Sequence, residues 1–216
     1  MRTRDNGATK KVEKTGSESV PYVSEAIINR IEAHGGPVAV VCSCIHLSSK
    51  APIARAGEPD WYAVMERNLT NLRGISESLR VPILCAGDVF DRWNSSPELI
   101  NFALDVLPPM SAIPGQHDLP YHNYEERHKS AFGTLVRAKR IQEILPGDDG
   151  VLSWFCTTVT GKSMQVRVYG FPWGSKLRLP KDGYAGKKGA LCVALVHRYC
   201  GIGGLSYPGA SLETNQ

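Results

Sequence analysis

The chain has 216 residues, 42% of them hydrophobic and 21% charged, with a formal net charge of +4 at pH 7. That is enough chain for one sizeable core and too little for two. The mild charge, with no basic stripe interleaved with aromatics, is no argument for nucleic-acid binding by itself, and no run approaches the ~18 apolar residues of a membrane span.

Residues 1–19 are polar, aperiodic and rich in Gly, Ser and Lys, which predicts a disordered tail ahead of a single domain over 20–216. A basic nucleic-acid arm is the competing reading, diluted by Asp5, Glu13 and Glu18. The tail has no apolar stretch of the kind a secretory signal needs. Val23, Ala26, Ile27 and Ile31 have helical spacing, stopped by Gly35-Gly36, and Pro37 to Ser43 reads as a short buried strand. After a loop from Ser48 to Pro59, the positions Trp61, Val64, Met65, Leu72, Ile75 and Leu79 trace a long amphipathic helix. It leads to a second strand at Val81 to Leu84, a β-α-β unit with a right-handed crossover.

Ser96 as N-cap and Pro97 at the first helical position open a helix to about Leu107, stopped by Pro108-Pro109. Met110 to Ile113 is a third strand, Tyr121 to Asn123 a loop, and Glu125 to Leu145 helical in composition though interrupted by Gly133. Beyond the turn at Pro146 to Gly150 the texture becomes β-rich. Val151 to Val159 and Met164 to Phe171 read as a hairpin, and Ala190 to Val196 as a further strand. The six cysteines (Cys42, Cys44, Cys85, Cys156, Cys192, Cys200) form no CxxC pair and mostly sit in apolar runs, so a reducing, cytoplasmic setting is expected.

Four of these strands run out into polar clusters. They are Ser43-Cys44-Ile45-His46, Gly87-Asp88-Val89-Phe90-Asp91, Gly115-Gln116-His117-Asp118, and His197. Open α/β folds collect ligands at the carboxyl ends of their strands, and these residue types gathered at one edge suit a metal site better than a core. For His197 alone, a hydrogen-bonded structural role is an equal alternative. His34, His122 and His128 read as surface residues, and Trp173 as a packing anchor beside the site.

The order Cys44-x-His46, Gly87-Asp88-x-x-Asp91, Gly115-Gln116-His117-Asp118 and Val196-His197 resembles the calcineurin-like metallophosphoesterase superfamily over about residues 37 to 210. His46-Leu47-Ser48 and Ser206-Tyr207-Pro208-Gly209-Ala210 are most similar to its phage and bacterial branch, related to recombination-nuclease subunits. The resemblance implies an α/β fold, a four-layer α-β-β-α sandwich of two mixed sheets, here lacking its last strands. It implies two divalent metal ions, manganese first, with zinc, iron(II) or magnesium as alternatives. Cys44, His46 and Asp88 would face the first and Gln116 and His197 the second, with Asp88 as bridge. His117 would be the general acid and Asp91 a carboxylate that orients it, while Asp118 braces the loop.

Such a site would hydrolyse phosphoesters through a metal-bound hydroxide, as a phosphodiesterase or nuclease acting on DNA or a nucleotide, in the cytoplasm or that of a phage host. No membrane partner is implied, and whether an ATPase partner subunit exists, like the oligomeric state, is left open. The family pattern has Asp at position 44 and Asn at position 116. A thiolate is a soft ligand that favours zinc over manganese, so the first metal position is expected to be weakened or changed. The family's late GHxH-type segment is also missing before Gln216, which leaves each metal at most three protein ligands and suggests a fragment, a split-gene half or a decayed copy. The alternative function is therefore a catalytically impaired relative that serves as a binding or assembly protein.

Overall fold

The computed structural model describes residues 36–147, 150–157, 161, 163–177 and 190–199. The expected tail, the helix around Ile27 and the segment from Ser206 to Gln216 lie outside the described residues.

Strand β1 (Val40–Cys42) leads through a 3-10 turn at Ile53–Arg55 to helix α1 (Trp61–Leu79) and strand β2 (Ile83–Cys85). The α1 helix starts where the Asp60 side chain accepts the Ala63 N–H at 3.0 Å, and it stops where Arg80 turns left-handed at φ 54°. Its buried face is Val64, Met65 and Leu69. Helix α2 (Pro97–Val106) opens as its sequence predicts, with Ser96 Oγ accepting the Leu99 N–H at 3.3 Å and Pro97 in the first turn. Strand β3 (Met110–Ala112) follows.

The expected helix from Glu125 to Leu145 is corrected by the structure. Tyr124–Lys129 is a 3-10 segment, α3 spans only Ala131–Arg137, and Ile141–Glu143 is a strand, β4. The composition of Arg137-Ala138-Lys139-Arg140 favours helix, but Lys139 turns left-handed at φ 59° and β4 pairs parallel with β3, Met110 opposite Ile141. Pairing satisfies the β4 backbone and leaves Ile141 only 2% exposed, which local propensity cannot match.

The first sheet is parallel throughout, in the order β1-β2-β3-β4. In the second, β5 (Leu152–Thr157) and β6 (Ser163–Phe171) form the predicted antiparallel hairpin, and β7 (Ala190–Val196) lies parallel to β6. Residues of the parallel strands alternate between two cores. Ile83, Cys85, Met110, Ala112 and Ile141 meet the helices through Leu69, Leu99, Ala103, Phe132 and Leu135. Leu84 and Ile113 point the other way, to Val166, Val168 and Leu195 of the second sheet. The result is an α/β sandwich with a parallel and a mixed sheet; among the described residues the helices all belong to the parallel sheet. Because β1, β2 and β3 run the same way, the loops that follow them share one edge.

Candidate metal centre

The sheet ladder continues past the ends of β1 and β2 and zips their loops together. Cys44 N–H donates to the Gly87 carbonyl at 2.9 Å, His46 N–H to Asp88 at 3.1 Å, and Leu47 N–H to Val89 at 2.9 Å. Along this seam three non-glycine residues are left-handed, Cys44 at φ 54°, His46 at 49° and Asp88 at 55°. Each such residue costs about 1–3 kcal/mol. Strain held at three polar residues in one place, along a seam of backbone hydrogen bonds, is characteristic of a functional site.

Asp118 ties the third loop to the second. Its carboxylate is fully buried and accepts the N–H groups of Phe90 at 2.9 Å, Gly115 at 3.0 Å and Val89 at 3.1 Å. Burial pushes its carboxyl up to about 6, against the pull of those three donors. The bracing role read from the sequence is what this geometry performs. Gly115 is required beside it, since a Cβ there would collide with the Asp88 carboxylate.

Asp88 is 2% exposed and divides its two oxygens. Oδ1 accepts the His117 N–H at 2.9 Å, which fixes the carboxylate. Oδ2 lies 3.1 Å from His197 Nε2 on one side and 3.9 Å from His46 Nε2 on the other. Burial opposes ionisation, but the hydrogen bonds from His197 and from the His117 N–H prevail and hold the carboxyl below its ordinary range.

His197 arrives from the second sheet, its N–H donating to the Phe171 carbonyl at 3.1 Å. Its Nδ1 donates to the Ala86 carbonyl at 2.6 Å, which leaves Nε2 between Asp88 Oδ2 and Gln116 Oε1, the latter at 2.7 Å. Burial would lower the imidazole, but the bonds to Asp88 and Ala86 raise it above its ordinary value. A Cβ on Gly87, itself at φ 101°, would enter the His197 ring, so only glycine lets the two sheets close here.

On the other flank, Cys44, His46 and Asp88 have ligand atoms within 4.8 Å of one another, as do His46, Asp91 and His117. His46 Nδ1 is buried without a hydrogen-bond partner. His117 Nδ1 donates to the backbone carbonyl of Asp91 at 2.8 Å, so Nε2 is the nitrogen left to exchange a proton. The orienting contact expected from the Asp91 carboxylate is thus made by its main chain, while the carboxylate sits 3.7 Å from His46 Nδ1.

These donors fit divalent cations. Two atoms each about 2.1 Å from one ion at a right angle are about 3 Å apart, close to the 2.7 and 3.1 Å found around His197 Nε2. The 3.9 Å between His46 Nε2 and Asp88 Oδ2 is also within the span of a single ion. Asp88 Oδ2 is within reach of both sides. All seven residues singled out in the sequence, Cys44, His46, Asp88, Asp91, Gln116, His117 and His197, come to this edge.

His122 is exposed, as expected. Its Nδ1 is 3.0 Å from the Gln116 carbonyl, and it helps line a cavity with Trp93 and Tyr121. His128 is exposed, as expected. Trp173 donates its N–H to the Pro114 carbonyl at 3.3 Å and packs near His122 and Tyr199, as an anchor between the sheets. The position of Trp93, two residues after Asp91, was the available signal for a site-lining aromatic. No helix among the described residues is long and apolar enough to cross a membrane.

No curated protein matches the chain. The family model for calcineurin-like phosphoesterases matches residues 38–204, a stretch that contains every loop of the cluster. The chain belongs to the calcineurin-like phosphoesterase family, whose members are metal-dependent hydrolases of phosphoric esters.

Proposed function

We propose that this chain is a phosphodiesterase of the nuclease type, and that Asp88 would help to hold both of two divalent cations. The observation that carries the reading is the single oxygen, Asp88 Oδ2, placed 3.9 Å from His46 and 3.1 Å from His197. Cys44 and His46 would complete one cation position, Gln116 and His197 the other. When bound, the cations supply neutralisation of the phosphate oxygens and acidification of a water.

The chain's own residues do the rest. Asp88 and Gln116 present oxygen donors without adding mobile groups, because both are tied to backbone or to His197. Asp91 holds the proton of His117 on Nδ1 through its carbonyl, so that Nε2 can deliver a proton to the leaving oxygen as the phosphorus–oxygen bond breaks. Carboxylate, amide and imidazole donors on the His197 side suit manganese; the Cys44 thiol suits zinc on the other.

The test is hydrolysis of bis(p-nitrophenyl) phosphate with added Mn²⁺ or Zn²⁺. Metal-dependent turnover that falls to background in Asp88→Ala is the expected result. Absent turnover, or turnover indifferent to Asp88, removes the reading. A second reading, a relative that binds one cation and serves as a binding or assembly protein, is favoured by the exposed Cys44 thiol standing where a carboxylate is expected. Metal binding at a stoichiometry of one with no hydrolysis would establish it.

A further inference from the structure

A cavity of about 300 Å³ opens beside His117, lined by Arg92, Trp93, Gln116, Tyr121 and His122. A larger one, about 540 Å³, lies at the far end of the strands against Pro37, Leu79, Trp154 and Phe155, where none of the candidate ligands reaches. The smaller cavity adjoins the chemistry, and its walls are unusual. Trp93 is fixed at its backbone, where its carbonyl accepts the Ala131 N–H at 2.8 Å at the start of α3. Tyr121 and His122 are consecutive left-handed residues, at φ 51° and 59°. Tyr121 in that strained turn is 86% exposed as a residue, with its ring centroid 5.8 Å from that of Trp93 and the planes tilted by 46°. Arg92, 81% exposed, stands on the same rim, 3.8 Å from the Asp91 carboxylate.

Two consecutive strained residues beside the chemistry mark this turn as a candidate for ligand contact, and Trp93 and Tyr121 give it an aromatic face. Sequence-tolerant recognition of nucleic acid bases uses such faces, with arginine for the phosphate or for stacking. We propose that this cavity is the leaving-group subsite and that it takes a nucleobase, which makes the substrate a nucleotide phosphodiester. The base stacks against the Trp93–Tyr121 pair, and Arg92 meets the next phosphate along. Water adds its oxygen to phosphorus and loses a proton to solvent, the ester bond to the nucleoside breaks, and the nucleoside oxygen takes the proton from His117 Nε2. The assignment of His117 rests on the hydrolytic reading above; the stacking pair does not.

Two measurements separate them. Adenosine, with ribose as control, is titrated into the full-length metal-free protein and followed by NMR. Adenosine is expected to bind and ribose not, with Trp93→Ala and Tyr121→Ala each weakening adenosine about tenfold. Trp93→Phe should retain it, and the exposed Tyr121 can be replaced without loss of the fold, as a thermal melt will verify. With Mn²⁺ present, the same two alanine variants should slow cleavage of a deoxyadenosine dinucleotide about tenfold more than cleavage of its analogue lacking the leaving-side base. If bis(p-nitrophenyl) phosphate is cut but adenosine binding is absent or indifferent to Tyr121, the subsite is overturned by itself. If no ester is cut while adenosine binding still depends on Trp93 and Tyr121, the hydrolytic reading falls and the base-binding cavity stands.

Discussion

The two sheets contribute unequally to the site. The parallel sheet delivers six of the seven candidate residues through three loops that are stitched to one another, by the extended β1–β2 ladder and by the buried Asp118 carboxylate. The mixed sheet delivers His197 alone, held by bonds to Ala86, Gln116 and Asp88, residues of the opposite sheet. One half is therefore rigid by itself, whereas the other completes the site only when the sheets are closed. A cation position shared across that seam depends on packing between sheets as much as on its ligands.

The contrast can be broken most severely on the rigid side. Asp118→Ala leaves the N–H groups of Val89, Phe90 and Gly115 buried without an acceptor, and should cost about 3 kcal/mol or more in a denaturant titration. A loss under about 1 kcal/mol would mean that the loops are held elsewhere.

The seam itself is tested by Gly87→Ala, whose Cβ meets the His197 ring. Metal stoichiometry should fall from two to one, and His197→Ala should give the same number without the steric insult. Two ions retained in both would place the second cation away from His197.

Protonation offers a milder probe of the seam. Asp88 is depressed below 3.8, so its stabilisation is present above that value and lost as pH falls through the lowered one. His197 is raised above 6.5, so its contribution is complete below that value and lost as pH rises through the raised one. In the metal-free protein the difference in melting temperature between wild type and His197→Ala should therefore peak between 3.8 and 6.5. Cation binding must displace the proton on His197 Nε2, so affinity should tighten as pH rises through the raised value of His197, above 6.5. A flat difference curve would deny the pairing.

The smallest effect is expected at Cys44, exposed at the edge of the rigid half. Cys44→Asp exchanges a soft ligand for a hard one and should shift preference from zinc toward manganese by about tenfold or less, as read by competition between the two ions. An unchanged preference would take position 44 out of the first cation's shell.

The sequence by itself determined the helices α1 and α2, whose Asp60 and Ser96 caps and apolar spacing are local, and the β5–β6 hairpin. It also placed the polar clusters at strand ends, because a buried strand followed by Gly-Asp or Gly-Gln-His-Asp is a local pattern too. Only the tertiary structure decided that Ile141–Glu143 leaves its helical propensity to pair with β3, that Asp91 orients His117 through its carbonyl rather than its carboxylate, and that His122 and Tyr121 line the cavity. Each of those outcomes turns on a partner distant in the chain or on a left-handed residue such as Lys139, Tyr121 or His122. Their energies come from contacts that neighbouring residues do not encode, so periodicity and motif spacing carry no trace of them.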